Sequence, residues 1–299
     1  MFTSRPPMSR AFVVAVLSSL LLHGCGSDQT GESSRSRTEA AATRPSANNR
    51  GDIQVDAQER AVISENMPYA EVGDELVYGY FVAPADMFEP LPAVIMIHEW
   101  WGLDQNVRAK ADRLAAAGYI VFAIDLFGGK TATTPSAARA LMLSVVEDPE
   151  SASEKLRSAY QFVSETAGAP AVATLGWRFG GTWALNTALL LPDDIAAVVI
   201  YYAQVTSDEA KLGPMSAPVL GLFAGDDASV NRDSVEAFQG ALQRLRKNYD
   251  IHIYDGVRQG FVNEDATNYD RDAADDAWQR TIEFLQRHLV GQSDRGGSS

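Results

Sequence analysis

The sequence predicts a mostly parallel, doubly wound α/β sheet with helices on both faces. Continuous apolar runs such as PAVIMIH (92–98) are typical of parallel strands buried on both faces. These runs alternate along the chain with segments of helical periodicity, and that alternation favours a parallel sheet crossed by helices. With 299 residues, 46% of them hydrophobic, the chain is long enough to bury one large core of this type.

The individual elements follow from the same patterns. Strands are predicted at 75–83, 92–98, 119–124, 196–202, 217–223 and 249–254, and helices at 104–117, 136–146, 151–166, 232–246 and 272–289. Gly118 provides a good end for the first of these helices, because glycine accepts the left-handed conformation that follows many helices. The globular domain is expected to span residues 61–290.

Residues 1–25 resemble an export signal. Two arginines precede an apolar run, 11–22, that is too short to span a bilayer as a mature helix. The run ends in Leu22-His23-Gly24-Cys25, which resembles a bacterial lipobox and implies lipid attachment at Cys25. The alternative is an ordinary signal peptide that contains a cysteine. Because Gly26 rather than aspartate follows the cysteine, the resemblance implies a periplasm-facing protein of the cell envelope, retained at the outer membrane.

Two further segments are expected to lie outside the folded domain. Residues 26–60 contain no aromatic residue and are rich in small and polar residues, a composition that predicts a disordered tether. Residues 291–299, with three glycines and three serines, are predicted to be a disordered tail.

Charge and residue counts exclude several classes of function. The formal net charge of −14 argues against binding to nucleic acid and against attraction to an anionic membrane surface. Cys25 is the single cysteine, so the sequence excludes an intrachain disulfide, a cysteine zinc cluster and a cysteine nucleophile within the fold. Four histidines, His23, His98, His252 and His288, are the complete set of candidates for a histidine general base.

The stretch AVATLGWRFGGTWALNTALL (171–190) predicts a buried strand, a sharp turn and a helix. It has the form of a nucleophile elbow, in which small residues allow a strained backbone to present one side chain above the sheet. The glycines are Gly176, Gly180 and Gly181, and the nucleophile position holds Arg178. A guanidinium remains protonated and has no usable lone pair, so Arg178 cannot attack a carbonyl.

Several further stretches occur in the order found in one known family. They are IHEWWGLDQNVR (97–108), ADRLAAAGYIVFAIDLFGGKTATTP (111–135), GWRFGGTWAL (176–185), VVIYYA (198–203), GLFAGDD (221–227) and IHIYDGVRQGFVNE (251–264). Over roughly residues 70–289 the chain resembles the dienelactone hydrolase family of α/β-hydrolases. The resemblance implies an α/β-hydrolase fold and a Cys-His-Asp triad that cleaves lactones and carboxylic esters without a metal or other cofactor.

Carried over to this chain, the triad is broken at two positions. Arg178 stands where the family has its cysteine, and Gln259 stands where it has its histidine. The resemblance places the acid at Asp227, with Asp226 as the alternative. A glutamine amide holds hydrogen bonds but accepts no proton near neutral pH.

Other parts of the family's site are retained. Glu99 matches a pocket glutamate, and the resemblance assigns the oxyanion hole to the backbone N–H groups of Trp100 and Phe179. The arginines that hold the substrate carboxylate in the family match positions near Gly129 and at Asn263, neither of which is cationic. A dienelactone substrate is therefore not expected.

The remaining polar candidates near the elbow are expected to have structural roles. We expect His98 to be structural, and Thr182 to point into its helix rather than out of the elbow. Arg178 is expected to form an ion pair with Glu99 or Asp227, because an unpaired charge in a half-buried pocket is costly. Alternatively, it creates a site for a ligand carboxylate or phosphate.

Three functions remain open at this stage. One is a pseudo-hydrolase, catalytically inactive or severely impaired, that binds a small anionic ligand or a partner. Another is an active ester or lactone hydrolase that uses non-standard residues. The last is a purely structural envelope protein. The partners expected from these alternatives are a small ester, lactone or anion in the pocket and a membrane reached through the lipid on Cys25, with no nucleic acid.

Overall fold

The computed structural model describes residues 60–290. The predicted signal peptide, the lipidation site Cys25, nearly all of the tether and the C-terminal tail lie outside the described residues, so those predictions stay predictions. Within the described range, no helix has the length and apolar character needed to cross a membrane.

Eight strands form one sheet. They are β1 (Val62–Val72), β2 (Glu75–Pro84), β3 (Ala93–Ile97), β4 (Ile120–Ile124), β5 (Val172–Trp177), β6 (Ile195–Tyr201), β7 (Val219–Ala224) and β8 (Tyr249–Tyr254). Their order across the sheet is β1-β2-β4-β3-β5-β6-β7-β8. The pairings β1–β2 and β2–β4 are antiparallel, and every other pairing is parallel. The mostly parallel sheet predicted from the sequence is confirmed.

Strand β1 is an element that the sequence patterns did not predict. Its residues, VISENMPYAEV, mix polar and apolar side chains, and only two of them are buried. β1 lies at the edge of the sheet, where a strand does not need a continuous apolar run. The pairing with β2 shifts register between Pro68 and Ala70, at a proline that offers no backbone donor. β1 therefore lacks the continuous apolar run from which the central strands were predicted.

The helices are α1 (Gln105–Ala116), α2 (Pro135–Glu147), α3 (Pro149–Gln161), α4 (Phe179–Leu190), α5 (Glu209–Leu212), α6 (Arg232–Arg244) and α7 (Arg271–Leu285). π-helical turns, 162–166 and 286–290, extend α3 and α7. Side-chain caps fix several starts: Asp104 accepts from the Val107 N–H at 3.0 Å, and Asp148 caps α3. The predicted helices agree within a few residues, whereas the four-residue α5 was not predicted.

Each central strand buries both of its faces. In β3, Ile95 and Ile97 pack in one core layer, and Val94 and Met96 pack in the other. The first layer is covered by α2, α3, α4 and α6, and the second by α1 and α7. Because successive side chains of a strand point to opposite faces, a strand between two layers must be apolar at every position. This explains why the sequence shows continuous apolar runs rather than alternation.

Helix α4 approaches the ends of β3 and β5 at backbone distance. A Cβ added to Gly180 would overlap the carbonyl groups of Ile97 and His98, and one added to Gly176 would overlap the backbone of Gly180. Glycine is required at both places because no side chain fits between the helix and the sheet. The turn between β5 and α4 is thereby held directly over the carboxyl ends of the central strands.

Replacement of Gly180 tests this close approach. We expect Gly180→Ala to destabilise the protein by about 1–3 kcal/mol, since the new methyl group must displace the backbone of β3. The measurement is urea unfolding followed by circular dichroism. Gly240→Ala is the matched control: it lies within α6, where the added Cβ meets the flexible end of Arg244, and should stabilise by about 0.5–1 kcal/mol. Equal effects of the two substitutions would contradict the packing argument.

Candidate functional site

Arg178 occupies the turn between β5 and α4 in a strained conformation. Its φ of 50° and ψ of −115° are unusual for a residue with a side chain and cost about 1–3 kcal/mol. The turn is fixed on both sides: Arg178 N–H donates to the Tyr201 carbonyl at 3.0 Å, and its carbonyl accepts from the Thr182 N–H at 3.1 Å. The predicted elbow is present, with an arginine in the exposed position of the turn.

The guanidinium of Arg178 stacks on an indole instead of pairing with a carboxylate. Its central carbon lies 4.9 Å from the centre of the Trp100 ring. Within the described part of the chain, Arg178 forms no ion pair, so the predicted pair with Glu99 or Asp227 is wrong. Trp100 directly follows Glu99 and offers an aromatic face to the half-buried cation, which reduces the need for a contacting anion.

Glu99 follows β3 and lies between two cations. The Tyr202 hydroxyl donates to its Oε1 at 3.3 Å. Burial raises the pKa of Glu99, whereas the charges of Lys110 and Arg178 oppose the rise. Tyr202 itself has a positive φ of 34°, and burial together with the neighbouring Glu99 raises its pKa. The Tyr202 contact was not predicted, although the Tyr-Tyr pair after an apolar run marks the end of β6.

Asp227 and Gln259, at the positions that the resemblance assigns to the acid and the base, are hydrogen-bonded to each other. Gln259 Nε2 donates to Asp227 Oδ2 at 2.9 Å and approaches the Tyr202 carbonyl at 3.3 Å. The other carboxylate oxygen accepts from the N–H groups of Ser229, at 2.7 Å, and Val230, at 3.0 Å. Asp226 is exposed and has no contact with Gln259, so the structure distinguishes between the two candidate acids. At the position predicted for the base, the structure thus has an amide that donates to a carboxylate and accepts no proton near neutral pH.

Backbone donors remain available beside Arg178. The N–H groups of Trp100 and Phe179 donate to no acceptor among residues 60–290. Phe179 is the first residue of α4, so its N–H has no partner within the helix and contributes to the positive end of the helix dipole. The two predicted oxyanion-hole residues thus present free donors next to a guanidinium.

A cavity of about 520 Å³ lies over the elbow. Its walls are largely apolar and aromatic, with Trp100, Phe179 and Trp183 among them. Arg178 and Gln259 are among its polar lining residues, and α2 closes one side. We call this cavity the elbow pocket. Its size and composition are typical of a small-molecule site.

His98 has a structural role, as predicted. It is fully buried; its Nδ1 lies 2.6 Å from the Glu99 carbonyl, and its Nε2 accepts from the Leu126 N–H at 3.1 Å. These contacts require a neutral imidazole protonated at Nδ1, and burial lowers the pKa of the ring further. Because both nitrogens are engaged, His98 has no free lone pair to accept a proton from a nucleophile.

The remaining sequence candidates lie away from Arg178 or are occupied. The Thr182 hydroxyl donates to the Gln204 carbonyl at 2.9 Å. His252 faces Asp276 at 3.9 Å, and His288 packs on Phe284; neither histidine lines the elbow pocket. Asn263 and Gly129 also lie outside its lining. The structure therefore brings together Arg178, Glu99, Asp227, Gln259 and the two backbone donors. Thr182 also lines the elbow pocket, so the expectation that it points into its helix is wrong, whereas the histidines, Asn263 and Gly129 lie outside the lining.

The fold and the elbow define the class to which the chain belongs. A dienelactone hydrolase-like promiscuous phosphotriesterase from metagenomic libraries superposes with a TM-score of 0.70, 18% identity and coverage of 77% of this chain and 99% of that one. A dienelactone hydrolase from Anabaena variabilis superposes with a TM-score of 0.59 and 19% identity, and the match covers 76% of this chain and 99% of that one. The chain has the α/β-hydrolase fold.

Sequence comparison then gives the family. The model of the dienelactone hydrolase family matches residues 77–289, and the chain belongs to this family. Protein usf of Aquifex pyrophilus is 31% identical over 208 residues, which are 67% of this chain and 89% of the relative. The protein named "Putative carboxymethylenebutenolidase" from Escherichia coli is 25% identical over 264 residues, 84% of this chain and 97% of the relative.

The raised pKa of Glu99 leads to a prediction about stability. A carboxyl whose pKa is higher in the folded than in the unfolded state contributes stability below the unfolded value, here 4.5, and this contribution is lost as pH rises through the folded value. We therefore expect Glu99→Gln to increase the free energy of unfolding at pH 8. The increase should shrink as pH falls toward 4.5.

Urea unfolding at a series of pH values measures this effect. Glu236→Gln, on the exposed side of α6, is the matched control and should change the free energy of unfolding by less than about 0.5 kcal/mol. A loss of stability for Glu99→Gln at pH 8 would mean that the attraction of Lys110 and Arg178 outweighs the cost of burying the charge.

Proposed function

We propose that this protein is a pseudo-hydrolase of the dienelactone hydrolase family, without hydrolytic chemistry of its own. The observation that carries the proposal is the hydrogen bond between Gln259 and Asp227 at 2.9 Å, close to an elbow that presents Arg178. The scaffold of the triad is preserved while its nucleophile and its base are both absent. The backbone at Arg178 keeps the strained conformation of a nucleophile elbow, although the arginine side chain cannot attack a substrate.

Neither His98 nor Thr182 supplies the missing chemistry. Both nitrogens of His98 are engaged, and the Thr182 hydroxyl donates to a backbone carbonyl. What remains is stabilisation by the backbone donors, which in a serine protease without its triad supports roughly 10³–10⁴-fold acceleration over water. A residual rate of this kind is far below that of an intact triad enzyme.

The elbow pocket is suited to binding a small anion with an apolar body. The Arg178 guanidinium and the free N–H groups of Trp100 and Phe179 offer donors for a carboxylate or phosphate. The aromatic walls accommodate an apolar remainder. Because no arginine occupies position 129 or 263, the carboxylate of a dienelactone would lack the two cations that the family resemblance implies.

We propose further that the protein is exported and carried on a lipid at Cys25. Support comes from the sequence alone, namely the short apolar run 11–22 and the lipobox-like Leu22-His23-Gly24-Cys25. In this proposal the domain faces the periplasm from the outer membrane, and residues 26–60 link it to the anchor. Metabolic labelling with a fatty acid, lost in Cys25→Ala, tests the anchor.

Restoring the two missing residues tests the pseudo-hydrolase proposal. We expect the double variant Arg178→Cys, Gln259→His to hydrolyse p-nitrophenyl acetate about 10³-fold faster than the unaltered full chain, because Asp227 is already positioned to orient the new imidazole. Release of p-nitrophenol measures the rate. The single variants are the matched controls and should each remain close to the unaltered chain, because a triad acts as a unit.

Two outcomes would contradict the proposal. Activity of the unaltered chain at a rate similar to that of the double variant would favour the alternative, an ester hydrolase that uses non-standard residues. A double variant that folds but stays inactive would show that the site has lost more than two side chains. Thermal unfolding of each variant separates the second outcome from a folding defect.

The ligand-binding part of the proposal has its own test. Butyrate should bind the full chain saturably, and Arg178→Met should weaken this binding at least tenfold because the substitution removes the cation while keeping an apolar stem. Isothermal titration calorimetry measures the affinity. Arg232→Met, which removes an arginine of α6 that pairs with Asp255 outside the pocket, is the matched control. Equal binding by both variants would exclude Arg178 from the site.

A further inference from the structure

A second cavity, of about 380 Å³, lies on the opposite face of the sheet from the elbow pocket. Trp177 and Tyr201 line it, whereas Arg178 and Tyr202, the residues that follow them, line the elbow pocket. Successive side chains at a strand end point to opposite faces, so these two cavities have separate walls. Helices α1 and α7 and the loop after β8 complete the second cavity, which we call the rear pocket.

The ring of Trp177 forms part of the wall of the rear pocket. Trp177 is only 4% exposed, and its indole Nε1 has no hydrogen-bond partner. Nε1 has almost no accessible surface, so the rear pocket meets the aromatic ring of Trp177 and not its N–H group.

A partly buried ammonium group lies beside this indole. Lys110 Nζ is 5.4 Å from the centre of the Trp177 ring and donates to Asn106 Oδ1. It forms no ion pair with any carboxylate of residues 60–290. Burial lowers the pKa of Lys110, and the carboxylates of Glu99 and Asp265 partly oppose this. An ammonium group carries three protons, so two remain for a ligand.

The rim of the rear pocket carries the opposite charge. Glu264, Asp265 and Asp275 line it and are exposed, and the one rim cation, Arg113, stacks on Trp278 at 4.1 Å. The pocket is thus cationic at its partly buried end and mainly anionic at its opening. A ligand that satisfies both ends has an anion at its inner end, a cation at its outer end and an apolar body between aromatic walls.

We propose that the rear pocket binds a small zwitterion, with its carboxylate at Lys110, its apolar body against the Trp177 ring and its ammonium group toward Glu264 and Asp265. Asn106 Nδ2 donates to Asn263 Oδ1 at 2.8 Å and fixes the side of the pocket between α1 and the loop that carries the acidic rim. This site is separate from the elbow pocket of the proposed function. Neither Lys110 nor Trp177 lines the elbow pocket, and Arg178 does not line the rear pocket.

The probe for this site is 4-(aminomethyl)benzoate, which carries a carboxylate and an ammonium group at opposite ends of one ring. Two analogues each lack one charge: 4-methylbenzoate lacks the ammonium group, and the methyl ester of the probe lacks the carboxylate. The readout is the indole N–H resonance of Trp177 in ¹⁵N-labelled full chain, identified by its loss in Trp177→Phe among the five tryptophans. We expect a saturable shift of this resonance, because the aromatic ring of the probe would lie against the Trp177 ring, and at least tenfold weaker binding of each analogue.

Variants separate the two ends of the site. Lys110→Met should weaken binding of the zwitterion at least tenfold, and Glu264→Gln with Asp265→Asn should weaken the zwitterion while leaving 4-methylbenzoate unchanged. Lys155→Met is the matched control, since this partly buried lysine contacts the Leu126 carbonyl outside the rear pocket. Arg178→Met should also leave the shift of Trp177 intact, so failure of the elbow-pocket proposal and failure of this one are distinguishable.

Several results would overturn the proposal. The absence of a saturable Trp177 shift with the probe would show that the rear pocket has no ligand of this class. Equal binding of the probe and 4-methylbenzoate would exclude a role for the acidic rim. If Lys110→Met does not fold, the comparison of the three ligands on the unaltered chain still decides the outcome.

Discussion

The site depends on a direct backbone contact between α4 and the sheet. Gly180 of α4 packs against the carbonyl of Ile97 at the end of β3. This contact brings the first turn of a helix onto the sheet and leaves Arg178 in a conformation that an isolated turn would avoid. The same approach places the free N–H of Phe179 above the sheet. The apolar layers on both faces supply the free energy that offsets this local strain.

Electrostatically, the centre of the molecule is organised around one carboxylate. Glu99 lies close enough to Arg178 on one side and Lys110 on the other for both cations to stabilise its charged form. Burial works against that form, and the balance keeps the pKa of Glu99 above its usual value. Arg178 lines the elbow pocket and Lys110 lines the rear pocket. A change of charge in either cavity would therefore shift the pKa of Glu99.

The sequence was sufficient for the central sheet and the elbow, because strands buried on both faces and glycines at a backbone contact leave strong local patterns. The edge strand β1 was missed because a half-exposed strand carries no such pattern. The pairing of Gln259 with Asp227 could be expected only from the family resemblance, because the two residues lie 32 positions apart and no local pattern connects them. Stacking of Arg178 on Trp100 was not predictable, because the choice between an indole and a carboxylate depends on side-chain placement that no spacing encodes.

The hydrogen bond from Gln259 to Asp227 also joins the loop after β7 to the loop after β8. In a triad this connection contains an imidazole, whose protonation changes close to neutral pH. An amide does not titrate, so the donor to Asp227 keeps its proton throughout the range in which a histidine would gain or lose one. The loops around the elbow are consequently joined by a link whose donor does not titrate, a property that an imidazole in the same place would not have.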